Sequence, residues 1–195
     1  MRLLTNLKTI RIMLLSKKLN ALFAQNPVTI FIVDDNEVFV RALKADIETT
    51  FIKMPLTIHS FTDGESCMRK ISEEKPQVVI LDYHLNGNNP KAVDGITILA
   101  RIKKENEETN VIILTGDDHI DIAIKSFKHG ASDYIVKTET QSQKIKYSLI
   151  NIFKIIEAKS EAKGYQHLLI AGIVAVSLMV GGFAAALVFA PWVFK

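Results

Sequence analysis

The sequence has one cysteine in 195 residues, so Cys67 cannot form an intrachain disulfide, which excludes the disulfide-stapled small-domain class and suits a reducing compartment. The five histidines are scattered without metal-ligand spacing, which excludes an ordinary zinc centre. Basic charge is also short outside one segment. The net charge is +3, but residues 1–25 carry Arg2, Lys8, Arg11, Lys17 and Lys18 and no acid, which leaves 3 − 5 = −2 for the rest. No long basic face, zinc-finger spacing or winged-helix pattern is present, so nucleic acid is not an expected partner.

At 48% hydrophobic, the chain can bury one α/β core, with some seventy residues left over on the size scaling of single domains. Residues 1–26 space Leu3, Leu7, Ile10, Leu14, Leu19, Leu22 and Phe23 among basic residues. This predicts a basic amphipathic leader, suited to an anionic membrane surface or else frayed. Asn26 and Pro27 mark a boundary.

From Val28, strand and helix patterns alternate. Val28–Val33, Leu56–Phe61, Val78–Leu81, Val111–Leu114 and Tyr134–Val136 read as strands. Helices are predicted over Glu37–Phe51, from Asp63 (as cap) to Glu74, from Ile96 to about Asn106, over Asp117–His129, and from Thr138 or Glu139 to about Lys163. Strict alternation implies a parallel sheet covered on both faces by right-handed crossovers. Residues 27–150 form this domain. Residues 151–166 (including EAKSEAKG) read as a helical stalk continuing its last helix, with Gly164 loosening the end. Residues 168–190 carry no charge, and 167–194 read as a transmembrane helix, since about twenty apolar residues span a bilayer core. Lys154, Lys159 and Lys163 precede this segment and only Lys195 follows it. The positive-inside rule therefore predicts a single-pass protein of the cell (inner) membrane with the globular domain in the cytoplasm. Ser177, Gly181 and Ala185, and likewise Gly182, Ala186 and Ala190, recur every four residues, which would allow a homodimer through the bilayer.

The chemistry collects at the strand ends. β-branched apolar runs lead into Asp34 and Asp35, into Asp82, into Thr115 and into Lys137. In an open parallel sheet, strand carboxyl ends line one ligand-binding edge. Three carboxylates together repel unless a cation joins them, and hard oxygen ligands of this number suit Mg²⁺. An aspartate beside Mg²⁺ can attack a phosphoryl group to form an acyl phosphate, with an ammonium and a hydroxyl compensating the new oxygens.

These residues, matched in type, order and strand-end placement over residues 28 to about 150, resemble the receiver domain of bacterial two-component response regulators. The resemblance implies a flavodoxin-like (βα)5 sheet of order 2-1-3-4-5. It implies Asp82 as phosphoacceptor, supplied by a phosphohistidine on a histidine kinase or histidine phosphotransfer protein. It also implies Mg²⁺ held directly by Asp35, largely through water by Asp34, and by Asp82 and the backbone carbonyl of His84. Lys137 would contact a phosphoryl oxygen, Thr115 would swing toward it, and Tyr134 would follow as the switch aromatic. Output would leave through the fourth and fifth helices, roughly residues 117–156. The sequence departs from the family pattern in two places: Thr138 stands where proline is usual, and NNPKA lengthens the loop after Asp82.

Taken singly, these residues have plainer readings: Asp34 with Asn36 as a helix cap, Thr115 as a turn hydroxyl and Tyr134 as a core aromatic. The competing whole-chain reading is an unphosphorylated receiver-like scaffold that recruits partners to the membrane. An enzyme of the haloacid-dehalogenase type also uses strand-end aspartates, but it needs a second aspartate at position 36, which is asparagine. The chain is therefore not expected to be an enzyme.

Overall fold

The computed structural model describes residues 27–85, 94–116 and 119–189; in the last stretch, side chains are described through 160, at 162 and at 169–182. The amphipathic leader and the NNPKA loop fall outside the described residues. The chain divides into two compact units, Met1–Phe153 and Lys154–Lys195.

In the first unit the elements run β1 (Val28–Val33), α1 (Glu37–Thr50), β2 (Leu56–Phe61), α2 (Gly64–Glu74), β3 (Val78–Asp82), α3 (Gly95–Glu105), β4 (Asn110–Thr115), α4 (Ile120–Lys128) and β5 (Asp133–Val136), followed by the start of α5 (Gln141–Phe189). The sheet is parallel, with order β2-β1-β3-β4-β5. Every residue of β1 and β3 is buried, because helices cover both faces. One face packs Phe31, Val33, Val79, Leu81, Val111 and Ile113 against Cys67 and Ile71 of α2 and Ile98, Leu99 and Ile102 of α3. The alternate strand residues Ile30, Ile32, Ile80, Ile112 and Leu114 are equally buried, as are Leu43 and Ile47 of α1 and Ile145, Leu149 and Phe153 of α5. Phe51 and Phe153 meet edge to face at 5.3 Å.

Local chemistry fixes the helix ends. Asn36, Asp63 and Asp94 are N-caps whose side chains accept from the backbone N–H groups of Phe39, Ser66 and Thr97. α2 stops at Lys75, in the left-handed region at φ 43°, immediately before Pro76. Gly95 is required by space: a Cβ there would stand 2.7 Å from the Asp82 carbonyl oxygen and 2.8 Å from the Tyr83 Cα. That close approach seats α3 directly against the end of β3.

α5 passes through Gly164 without a break, where a loosened end was expected. One glycine costs about 1 kcal/mol against alanine in a helix interior, too little to stop a long helix. In the second unit, the residues of α5 from 169 to 182 are exposed all round, Ile170, Ile173, Val174, Leu178 and Met179 among them. The expected membrane span is not met among the described residues: no helix there is long and apolar enough to cross a membrane.

Candidate functional site

Strand register builds the site. Val33 pairs with Leu81, so Asp34 leaves β1 beside Asp82, the last residue of β3. Asp82 pairs with Leu114, and Thr115 with Val136, so Thr115 and Lys137 leave the next two strands at the same edge. The Lys137 N–H donates to the Thr115 carbonyl at 2.7 Å, and the Tyr83 N–H to the Leu114 carbonyl at 2.8 Å, which extends the pairing one step past the strands.

Ligand oxygens of Asp34, Asp35 and Asp82 lie within 4.8 Å of one another. Asp34 is 1% exposed and Asp82 4%, whereas Asp35 is exposed. Charge compensation comes from Lys137, whose Nζ stands 2.7 Å from Asp34 Oδ2 and 3.0 Å from Asp82 Oδ1. Burial pushes the Asp82 carboxyl up, and Asp34 adds to this; Lys137 and the backbone N–H of His84 pull it back only in part, so the net direction is upward. Burial works against the Lys137 ammonium, but its two carboxylate partners outweigh that and raise it. The site therefore combines a carboxylate held at high energy with a cation beside it. Such a carboxylate is a good acceptor for an electrophile that leaves its oxygens stabilised.

The chemistry of the donors fits a small divalent cation: three carboxylates within one ion's reach, one of them open to solvent for retained water. Thr115 is fully buried at the edge of the same pocket. Tyr134 is half-buried and packs against the core cluster. His84 contributes its amide to Asp82, and no cis peptide bond occurs among the described residues, the Lys137–Thr138 bond included. The capping role of Asn36 holds as well: its N–H donates to Asp34 Oδ1 at 2.9 Å, so Asp34 serves the cap and the site together.

Phe39 was not visible as a site residue from the sequence. Its ring centroid lies 5.1 Å from Lys137 Nζ. The only available signal was an aromatic four positions after Asp35, in the first turn of α1.

The family model of the response regulator receiver domain matches residues 30–148, more than half of the chain. The chain belongs to the response regulator receiver family. Among curated proteins, this receiver is 26% identical over 108 residues to the DNA-binding transcriptional regulator NtrC of Escherichia coli, covering 55% of this chain and 21% of NtrC. It is 32% identical over 75 residues to the nitrogen assimilation regulatory protein NtrX of Azorhizobium caulinodans, covering 38% of this chain and 16% of NtrX. The chain thus spans about a fifth of the length of these relatives. Among solved structures, the signal receiver domain of an HD domain-containing protein from Pseudomonas fluorescens Pf-5 matches at 26% identity with a TM-score of 0.57, over 66% of this chain and 96% of that one. A CheY-like receiver from Methanospirillum hungatei matches in fold at 19% identity with a TM-score of 0.59, over 69% and 99%.

Proposed function

We propose that this protein is a phosphoacceptor in a two-component phosphorelay, with Asp82 as the residue modified. The observation that carries this reading is the buried, upward-shifted Asp82 carboxylate standing 3.0 Å from the Lys137 ammonium and within one ion's reach of Asp34 and Asp35. One Asp82 oxygen forms the bond to phosphorus as the phosphorus–nitrogen bond of a phosphohistidine on a kinase or phosphotransfer protein breaks, and the departing imidazole takes up a proton. Lys137 then exchanges its Asp82 carboxylate partner for a phosphoryl oxygen. The buried Thr115 hydroxyl supplies a donor to another, and Tyr134 follows Thr115. Asp34, Asp35, Asp82 and the His84 carbonyl would hold Mg²⁺, which when bound would supply further charge compensation to the transferred group. The protein acts as a signalling acceptor rather than as an enzyme turning over phosphate esters.

Output leaves through α4 and the first turns of α5. Ile120, Ile124 and Phe127 recur at i, i+4 and i+7 on α4 with exposed side chains, a ready protein-contact stripe. Residues 167–194 hold the chain at a membrane, with the receiver on the cytoplasmic side. Support for this comes from the uncharged sequence 168–190, the lysines at 154, 159 and 163, and the exposed apolar side chains over 169–182. Retention of the full chain in the membrane pellet after alkaline carbonate washing tests this attachment, and its release would refute it.

The test of the phosphoacceptor is the intact mass of the full chain, in mild detergent, after incubation with Mg²⁺ and acetyl phosphate. A phosphate-sized gain is expected, dependent on Mg²⁺ and absent in Asp82→Ala. No gain under conditions that label an ordinary receiver would favour the unphosphorylated scaffold. The names of NtrC and its kind favour a second reading, in which phosphorylation here governs binding to DNA; a duplex-DNA gel shift that changes with acetyl phosphate would select it.

A further inference from the structure

We propose that Phe39 is a positioning residue for Lys137 in phosphoryl transfer to Asp82; this rests on the receiver reading above. A lysine ammonium ends a flexible four-carbon stem, and charge alone does not fix where it stands between two carboxylates. Here the Phe39 ring supplies the missing constraint, with its centroid 5.1 Å from Nζ, inside the range of about 6 Å over which a ring face attracts a cation.

The ring is itself held by the site. The Phe39 N–H donates to Asn36 Oδ1 at 3.1 Å, and the Asn36 N–H donates to Asp34 Oδ1 at 2.9 Å. The other Asp34 oxygen, Oδ2, accepts from Lys137 at 2.7 Å. Asp34, Asn36, Phe39 and Lys137 thus form a closed circuit in which one carboxylate pairs with the ammonium and also fixes the turn that carries the ring. As the Asp82 carboxylate becomes an acyl phosphate, the ring and Asp34 keep the ammonium over the reacting oxygens, so less of its freedom has to be lost at the moment of reaction.

A plain packing role makes a different statement, because a leucine of similar bulk would then serve. Space separates the two. A cavity of about 240 Å³ is lined by Phe39, Ala42, Asp46, Gln141 and Ser142 among others, and Lys137 is not one of its lining residues. A larger ring at position 39 therefore has room away from the ammonium.

The test compares the rate of acyl-phosphate formation from acetyl phosphate with Mg²⁺ in the full chain, wild type against Phe39→Leu and Phe39→Trp. It is read together with the ring-current shift of the Lys137 ε-methylene protons. Phe39→Leu is expected to slow labelling about three- to tenfold and to abolish the upfield shift, and Phe39→Trp to keep both, because indole is the strongest cation-binding ring. Equal rates in all three proteins, or equal slowing by Leu and Trp, would overturn the inference while leaving the receiver reading intact. A wild type that takes no label would overturn the receiver reading and this inference with it.

Discussion

The Lys137 ammonium stands 3.0 Å from the Asp82 carboxylate and is one-quarter exposed, while the carboxylate is nearly closed to solvent. Removing the cation leaves two buried acids, Asp34 and Asp82, facing each other. Lys137→Met is therefore expected to lower stability in metal-free buffer by about 1–3 kcal/mol, below the range for a fully buried pair because Lys137 retains solvent. Added Mg²⁺ should stabilise the variant more than the wild type, since only the variant lacks a cation there. Thermal unfolding with and without Mg²⁺ reads both effects; an equal Mg²⁺ response would mean that Lys137 does not compete with the metal, and no response in either protein that the metal does not enter this acid cluster.

A second charged pair ties α1 to α5. Burial pushes the Asp46 carboxyl up, but hydrogen bonds from Lys146, at 2.6 Å, and from Ser142 outweigh it and hold the group below the usual carboxylate range. A carboxyl whose folded value is lowered adds stability that is present above its unfolded value, near pH 4, and lost as pH falls through the folded value. Asp46→Asn should cost about 1 kcal/mol at pH 7, and the difference from wild type should shrink by pH 3. Urea unfolding at the two pH values checks this, and a pH-independent difference would show that shape rather than charge matters at Asp46.

Lys75 closes α2 in the left-handed region, at φ 43° and ψ 59°, with its N–H bonded to the Ile71 carbonyl. A side chain there costs about 1–2 kcal/mol that glycine avoids, offset in part by the greater freedom of glycine in the unfolded chain. Lys75→Gly should stabilise by about 0.5 kcal/mol and Lys75→Ala should not. Chemical denaturation separates the two variants, and equal effects would assign any gain to loss of the lysine charge.

Much of this structure was legible in the chain, for physical reasons that differ by element. Val78–Leu81 and Val28–Val33 are continuous apolar, β-branched runs. Such runs become strands buried on both faces, and the period of a parallel sheet then delivers Asp34, Asp82, Thr115 and Lys137 to one edge. Asp63 and Pro76 bracket α2 because capping and proline geometry are local. The start of α4 was less legible: the helix runs from Ile120 after His119, which makes no side-chain cap bond, and Asp117, expected to open it, lies outside the described residues. The continuity of α5 through Gly164 was missed because a glycine signals a break more strongly than its energy can enforce one. The Phe39–Lys137 contact links residues 98 positions apart, and no pattern of period or spacing announces a contact made by tertiary packing alone.

The most direct measurement traps the proposed intermediate on its residue. An aspartyl phosphate is reduced by borohydride to homoserine, so the full chain is incubated with Mg²⁺ and acetyl phosphate, reduced, digested and sequenced by tandem mass spectrometry. Homoserine at position 82, absent without Mg²⁺, is the expected result. Homoserine at another aspartate, or at none while a receiver of established activity is labelled in parallel, would contradict the assignment of Asp82 as phosphoacceptor.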